Sequence, residues 1–439
     1  MDHVDVKVVV AVVPVSGHVG PISGLVAELV SRGHHVRVYT GSQFRQRFLD
    51  LGAMVATWSA AQDFDENNIG ATFRLAKRRG LLTSIALVRD GFIGTAPGQV
   101  HDLGRELERE PADILVADSM SFGGVLTSEL RGLPWAMLNV LPFNQGFASA
   151  APGFHVKPAR GPLGRQRDRL LWLVYRVMTS PFHRAYNRAR AQVGLRRDPR
   201  PYGRALFSDW LVLATGCPGL DVPRPDLPDQ IHFVGRVEPA GAKLPSTVGG
   251  GTTRPLVVVT QGTLDLEYTD LIGPALEGLA DLEVDVIATS GRRGRTDVGL
   301  PIPANARVVD LVDFGSVLPR ASVFVSNGGW GGVLASLAAG VPLVVAAGDA
   351  ADKPEIAARV ARSGVGIDLR TRGPKPGAVA DAVREILANP SYTERARQLS
   401  AELDQLGGAT AAVDLLERLA ETGAPVRRIG NPWSPAKSA

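Results

Sequence analysis

His18 stands between two glycines in Ser16-Gly17-His18-Val19-Gly20-Pro21, directly after an apolar run over residues 6–15. An unperturbed imidazole titrates near pH 6.5, so a histidine exposed at such a turn is suited to take a proton near neutrality. The alternative is a turn histidine at the start of a helix, and one residue does not separate the two. Asp118-Ser119 close another apolar run, Ile114-Leu115-Val116-Ala117. A carboxylate there could accept a hydrogen bond from His18, fix its tautomer and stabilise the imidazolium, as in hydrolase triads. Equally, Asp118 could cap the helix that begins near Phe122. Ser119 offers one more polar contact and nothing stronger.

In the second half, an apolar run over 322–326 ends in Asn327-Gly328-Gly329-Trp330-Gly331-Gly332. Glycines at a strand-to-helix turn let a ligand approach the backbone closely, and the N–H groups of the helix start favour an anion. A phosphate or diphosphate fits that chemistry; tight packing alone is the other reading. The dinucleotide pattern G-x-G-x-x-G and the Walker pattern are both absent, which turns the reading away from dehydrogenases and nucleoside triphosphatases.

The other titratable residues offer less. His34 and His35 begin a strand and belong at the far edge of a sheet. His3, His101, His155, His183 and His232 fall in the terminus, helices, a loop and a strand. No pair has metal-ligand spacing, so no metal site is expected. Asp63-Phe64-Asp65 reads as a solvated loop. Cys217 is the single cysteine, which excludes an intrachain disulfide and fits a reducing cytoplasm.

Repeated βα units must position these loops. Strands are expected over 7–13, 35–39, 54–57, 113–117, 134–138, 210–214 and 231–234, with helical patterns between them, the first over 21–32. Residues 237–255 turn rich in Pro, Gly, Ser and Thr, around Gly249-Gly250-Gly251, and read as a linker. Beyond it the pattern restarts, with strands over 256–260, 284–288, 307–309, 322–326 and 342–346, and helix over 377–421. The tail after Gly423 reads as poorly ordered. This alternation predicts an α/β protein of two Rossmann-like, doubly wound parallel-sheet domains facing a central cleft, with ligands at the carboxyl ends of strands. A chain of 439 residues holds two such domains at roughly 100–200 residues each. An apolar fraction of 45% and a charged fraction of 21% exclude disordered and fibrous classes. The 6–15 run is too short to span a bilayer and lacks a cleavage site, so stable membrane insertion is not expected.

In this order, the motifs resemble the family 1 nucleotide-sugar glycosyltransferases of the GT-B type, notably bacterial enzymes that decorate natural products. The resemblance covers essentially the whole chain. It is carried by the 16–21 segment, Asp118, Thr260-Gln261-Gly262-Thr263 and the 326–333 glycine loop with Leu337-Ala338-Ala339-Gly340-Val341-Pro342-Leu343-Val344. Asp352-Lys353-Pro354-Glu355 and Arg359-Val360-Ala361 continue it.

What the resemblance implies follows position by position. Residues 1–236 would bind the acceptor, 237–255 link, 256–423 bind the nucleotide sugar, and 424–439 form a tail. His18 would be the general base and Asp118 its orienting carboxylate. Thr263, Asn327, Gly328, Gly329, Gly331 and Gly332 would grip the donor diphosphate, Val312 and Phe314 the nucleobase, and Asp352 and Lys353 the sugar. The reaction implied is an inverting, metal-independent transfer from a uridine- or thymidine-linked sugar to a hydroxyl of a small molecule. The sugar nucleotide is then a co-substrate, and no bound cofactor is implied.

Three positions depart from the family pattern. Asn327 occupies a place where histidine is usual, Lys353 one where glutamine is usual, and Asp313 one where proline is common. Uncharged Asn327 would still donate a hydrogen bond to phosphate but would leave more of the work to backbone amides. Two rivals stay open: a sugar-nucleotide epimerase, and a non-catalytic sugar-nucleotide binder or auxiliary subunit. Net charge is +4, yet residues 157–204 hold 13 Lys/Arg against Asp168 and Asp198. That stretch is expected to flank the acceptor pocket or to form a solvated basic face, with loose membrane contact a further reading. Nucleic-acid binding ranks last, because no reader motif accompanies the charge.

Overall fold

The fold is seen in a computed structural model that describes residues 5–73, 85, 87–142, 161–224, 226–238, 253–262, 267–348 and 352–433. Strand β1 (Lys7–Ala11) shows why the first apolar run is a strand. Val8 and Val10 enter one hydrophobic cluster, Val9 and Ala11 another, so both of its faces are buried. A strand covered on both sides reads as an unbroken apolar run. It is joined by β2 (His35–Thr40), β3 (Met54–Thr57), β4 (Ile114–Asp118), β5 (Trp135–Asn139), β6 (Leu211–Thr215) and β7 (Ile231–Gly235). The parallel sheet runs in the order β3-β2-β1-β4-β5-β6-β7. Its longer helices are α1 (Ser16–Ser31), α2 (Ala96–Arg109), α3 (Phe122–Arg131), α4 (Gly161–Met178) and α5 (Ser180–Gln192).

A second parallel sheet holds β8 (Leu256–Thr260), β9 (Asp285–Thr289), β10 (Ala306–Val309), β11 (Val323–Ser326), β12 (Leu343–Val345) and β13 (Gly366–Asp368). Its order is β10-β9-β8-β11-β12-β13, the same winding as the first sheet with one strand fewer. Around it lie α6 (Ile272–Leu279), α7 (Trp330–Ala338), α8 (Lys353–Ser363), α9 (Pro376–Ala388) and α10 (Ser391–Gln405). Two doubly wound α/β sheets are what the alternation of patterns predicted. In each, the order reverses between two adjacent strands, β1 and β4 in one and β8 and β11 in the other. The loops diverge there and leave a crevice at the strand ends, where ligands of such sheets bind.

The chain divides into two compact units. One comprises residues 1–218, 222–239 and 406–439; the other comprises 219–221 and 240–405. Helix α11 (Gly408–Thr422), read from sequence as part of the second domain, therefore belongs to the first. Its Ala412, Val413, Leu416 and Leu419 are fully buried in the same cluster as Val8 and Val10. Arg32 and His34 at the end of α1 bind its acids, with Arg32 Nη1 to Asp414 at 2.6 Å and His34 Nε2 to Glu417 at 2.9 Å. Within the described part of the tail, residues 424–433 are also tied down, against the sequence expectation. Val426 N–H donates to Trp210 O at 2.9 Å, and Trp433 Nε1 donates to Pro218 O at 3.0 Å. The linker core, 239–252, lies outside the described residues.

Candidate active site

Helix α1 begins at Ser16, five residues earlier than sequence suggested, so His18 sits in its first turn and not in a loop before it. Asp118, the last residue of β4, is fully buried. His18 Nδ1 lies 2.6 Å from Asp118 Oδ1. The same carboxylate accepts the amide of Val13 at 2.8 Å and that of Met120 at 2.9 Å. Ser121 holds the N-cap position of α3 without a side-chain capping bond, and the Asp118 carboxylate binds amides ahead of the helix, so it is not the cap. A carboxylate that collects amide donors has no proton to give, and Nδ1 must therefore carry the hydrogen. Nε2 is left with a lone pair able to accept a proton. The contact spans the crevice where the first sheet reverses its order, since β1 and β4 are neighbours.

Glu66 supports this turn, and sequence reading passed over it. Its Oε2 accepts the Ser16 amide at 2.7 Å and its Oε1 the Ser16 hydroxyl, which puts an anion on the first turn of the helix carrying His18. Asp63, read as part of a solvated loop, accepts the Ser42 amide and hydroxyl at 2.8 and 2.6 Å, and Phe64 beside it is buried. Both acids precede no strand-end glycine, so nothing in the local sequence marked them.

Three adjacent strands of the second sheet end in one repeated device. Thr260-Gln261-Gly262 starts on the last residue of β8, Thr289-Ser290-Gly291 on that of β9 and Ser326-Asn327-Gly328 on that of β11. In each, the hydroxyl accepts the glycine amide two residues on, at 3.2 Å in all three. The three glycines have φ of +77°, +72° and +81°, a backbone that side chains rarely adopt. A hydroxyl that closes a turn on a left-handed residue makes the chain end abruptly and present its backbone at the sheet edge.

Asn327 is buried, and its Nδ2 donates to the carbonyl of Gln261. The amide that sequence reading aimed at phosphate thus clamps the β8 and β11 turns together across the second crevice. Gln261 in turn anchors the start of α6, its Oε1 accepting the Leu271 amide at 3.0 Å. A cavity of about 230 Å³ opens on these turns. Its walls include Thr260, Gly262, Thr289, Gly291, Asn327, Gly329 and Gly332, with Leu311, Val312 and Phe314 opposite.

The apolar wall is fixed from two sides. Asp313 caps the one-turn helix Phe314–Val317 by accepting the Gly315 amide at 3.1 Å, and the Phe314 ring packs edge-on against Phe324 at 5.4 Å. Asp310 accepts the amides of Gly294 and Leu311, which hold its carboxyl below the usual range. Thr289 Oγ1 donates to its carbonyl at 2.9 Å.

Of the residues read as donor-binding, Val312, Phe314, Asn327, Gly329 and Gly332 come together on this cavity. Gly328 turns behind it, where an added Cβ would lie 3.1 Å from Val345 Cγ1 and 3.5 Å from Lys353 O. Gly331 lies in the first turn of α7. Asp352 and Lys353 stand at the start of α8, off the cavity wall. Buried Arg359 secures that helix, bridging Glu355 on α8 at 3.0 Å and Asp221 at 3.0 Å. Thr263 lies outside the described residues. Among the described residues, no group of three or more His, Cys, Asp or Glu could hold a metal ion, and no helix is long and apolar enough to cross a membrane.

Residues 274–417 match the family model described as erythromycin biosynthesis protein CIII-like, C-terminal domain. The chain is 37% identical to 4'-demethylrebeccamycin synthase of Lentzea aerocolonigenes over 94% of its own length and 99% of the relative's. It is 30% identical to UDP-glucosyltransferase B1 of Starmerella bombicola, over 93% and 96% of the two chains. It belongs to the family 1 nucleotide-sugar glycosyltransferases. The solved structure of CalG4, the calicheamicin glycosyltransferase, shares the GT-B fold, with a TM-score of 0.72 at 23% identity over 96% of this chain and 100% of that one. The glycosyltransferase is thus an enzyme that transfers a sugar, which sets aside the epimerase and the non-catalytic binder. The hydroxyl–glycine turns at Thr289 and Ser326 are features of the enzyme that sequence reading missed; the recurrence of Thr/Ser-x-Gly at three strand ends was the available signal.

Proposed function

We propose that this glycosyltransferase moves a sugar from a nucleoside diphosphate to a hydroxyl of a small-molecule natural product, with inversion and without a metal. The His18–Asp118 contact carries the reading. His18 Nε2 takes the acceptor proton as the acceptor oxygen bonds to the anomeric carbon; the bond from that carbon to the diphosphate breaks, and its electron pair leaves on the diphosphate oxygen. Asp118 holds the tautomer and stabilises the imidazolium. General-base assistance of this kind supplies roughly 10²–10⁴-fold, and positioning much of the rest.

The donor is assigned to the second unit. The strand-end turns around Gly262, Gly291 and Gly328, with the start of α7, offer amides to a diphosphate, and Val312 and Phe314 an apolar wall to a base. Asp352 and Lys353 are assigned to the sugar and Thr263 to the diphosphate. The named relatives support the substrate class: one makes a rebeccamycin derivative and the other is a UDP-glucosyltransferase. A cytoplasmic setting completes the reading. Mass spectrometry and NMR of products from a panel of uridine- and thymidine-linked sugars and hydroxyl acceptors test it, with and without chelator. Product bearing the donor's own anomeric configuration, or turnover that chelator abolishes, overturns the mechanism.

A further inference from the structure

Helix α4 wears its apolar face outward. Of its 18 residues only Asp168 is buried, with Gly164, Leu171, Trp172 and Tyr175 half-buried on the same side. The opposite side carries Leu163, Leu170, Leu173, Val174, Val177 and Met178. Leu163 is 82% exposed and Val177 66%. Eleven large apolar side chains are exposed among the described residues, and six of them stand on this helix. Leu163, Leu170, Val174 and Val177 follow helical spacing, so they form one continuous stripe about 20 Å long at 1.5 Å per residue.

The border of the stripe is cationic. Arg165, Arg169 and Arg176 fall along one edge by the same spacing, and all are exposed; Arg184 and Arg188 of α5 add two more exposed cations. The one acid of α4, Asp168, is paired with Arg167 at 2.7 Å. A second copy docked on the stripe would bring these arginine borders together without acids to offset them. The apolar residues form a ridge and not a groove, and none of them offers a hydrogen bond to a protein partner. A flat anionic layer with an apolar interior matches both the ridge and the charge.

We propose that α4 lies on the surface of an anionic lipid bilayer, its Leu/Val stripe at the headgroup–acyl boundary and its arginines among the phosphates. The helix lies along such a surface and does not cross it, in keeping with its exposed charges.

Co-sedimentation of the full-length protein with vesicles tests this. Phosphatidylcholine vesicles containing about one-quarter phosphatidylglycerol should pellet the protein at least about tenfold more effectively than phosphatidylcholine alone, and salt should weaken the binding. Leu170→Ser/Leu173→Ser/Val177→Ser should abolish it with melting unchanged, because all three side chains are already exposed. Arg165→Gln/Arg169→Gln/Arg176→Gln should narrow the difference between the two vesicle types. Failure of the wild type to pellet with either vesicle overturns the proposal, as does undiminished binding by the serine variant. A concentration-dependent dimer in ultracentrifugation, lost in the serine variant and accompanied by no vesicle binding, overturns it in favour of a face between copies.

Discussion

At the scale of single residues, the two crevices hold matching hydrogen bonds with different purposes. His18 meets Asp118 across the first, and Asn327 meets Gln261 across the second. His18→Ala should lower turnover by about 10²-fold or more while donor affinity stays near wild type, as kcat and direct titration of nucleoside diphosphate would show. Unchanged turnover would remove His18 from the mechanism. Asn327 acts through Gln261, whose carbonyl is buried. Asn327→Ala removes that hydrogen bond, at a cost of about 0.5–1.5 kcal/mol in stability. Asn327→Asp should be worse, since a carboxylate would face the carbonyl oxygen. Melting temperatures check the order, and an Asp variant as stable as wild type would contradict the clamp. Sequence displayed His18 and Asp118 because strand-end residues of these types stand out. It did not show the bond of Asn327 to Gln261, because residue type tells what a side chain can donate, whereas that acceptor lies 66 residues away.

At the scale of elements, the cavity of the second sheet depends on how three strands stop. Thr289→Val keeps the shape of the side chain but removes the hydroxyl that both receives the Gly291 amide and donates to the Asp310 carbonyl. Nucleoside-diphosphate affinity should fall by about tenfold, the equivalent of one to two net hydrogen bonds, in calorimetric titration. The glycines differ in kind. At Gly328 a Cβ meets both a positive φ and Val345, so Gly328→Ala should destabilise the fold. At Gly332 a Cβ would sit 3.5 Å from the Phe324 ring, an ordinary contact, so Gly332→Ala should melt like wild type. Any loss of diphosphate affinity in Gly332→Ala then reports on the ligand alone. If both variants melt alike, the turn geometry is not what Gly328 supplies. The strands and the two parallel sheets were legible from period and punctuation. The early start of α1 was not, because Pro21 and the flanking glycines argue locally against a helix that Glu66, distant in sequence, helps to secure.

At the scale of the molecule, stability rests on buried charge as well as apolar surface. Arg359→Met removes the cation that Asp221 and Glu355 share and should cost about 3–5 kcal/mol, read by denaturant unfolding. Burial holds His232 below the ordinary imidazole value of 6.5, although its Nε2 lies 3.1 Å from Val426 O. The unfolded chain therefore binds more protons than the folded one as pH falls below 6.5, and stability is full above that value and declines beneath it. Thermal melts across that range should show the decline, and His232→Gln should make it shallower; an identical slope would assign the effect to other groups.

The return of α11 to the first unit bears on how this chain can be cut and recombined. Its leucines and valine each contribute roughly 1.5–3 kcal/mol of burial to a core that the opening 236 residues cannot complete. A fragment cut at the glycine-rich linker would expose that apolar surface and should precipitate. Supplying residues 406–439 as a separate peptide should restore solubility. A hybrid enzyme that borrows the first unit from a relative must take its first and last segments from the same parent, because in this architecture the two ends of the chain are one inheritance.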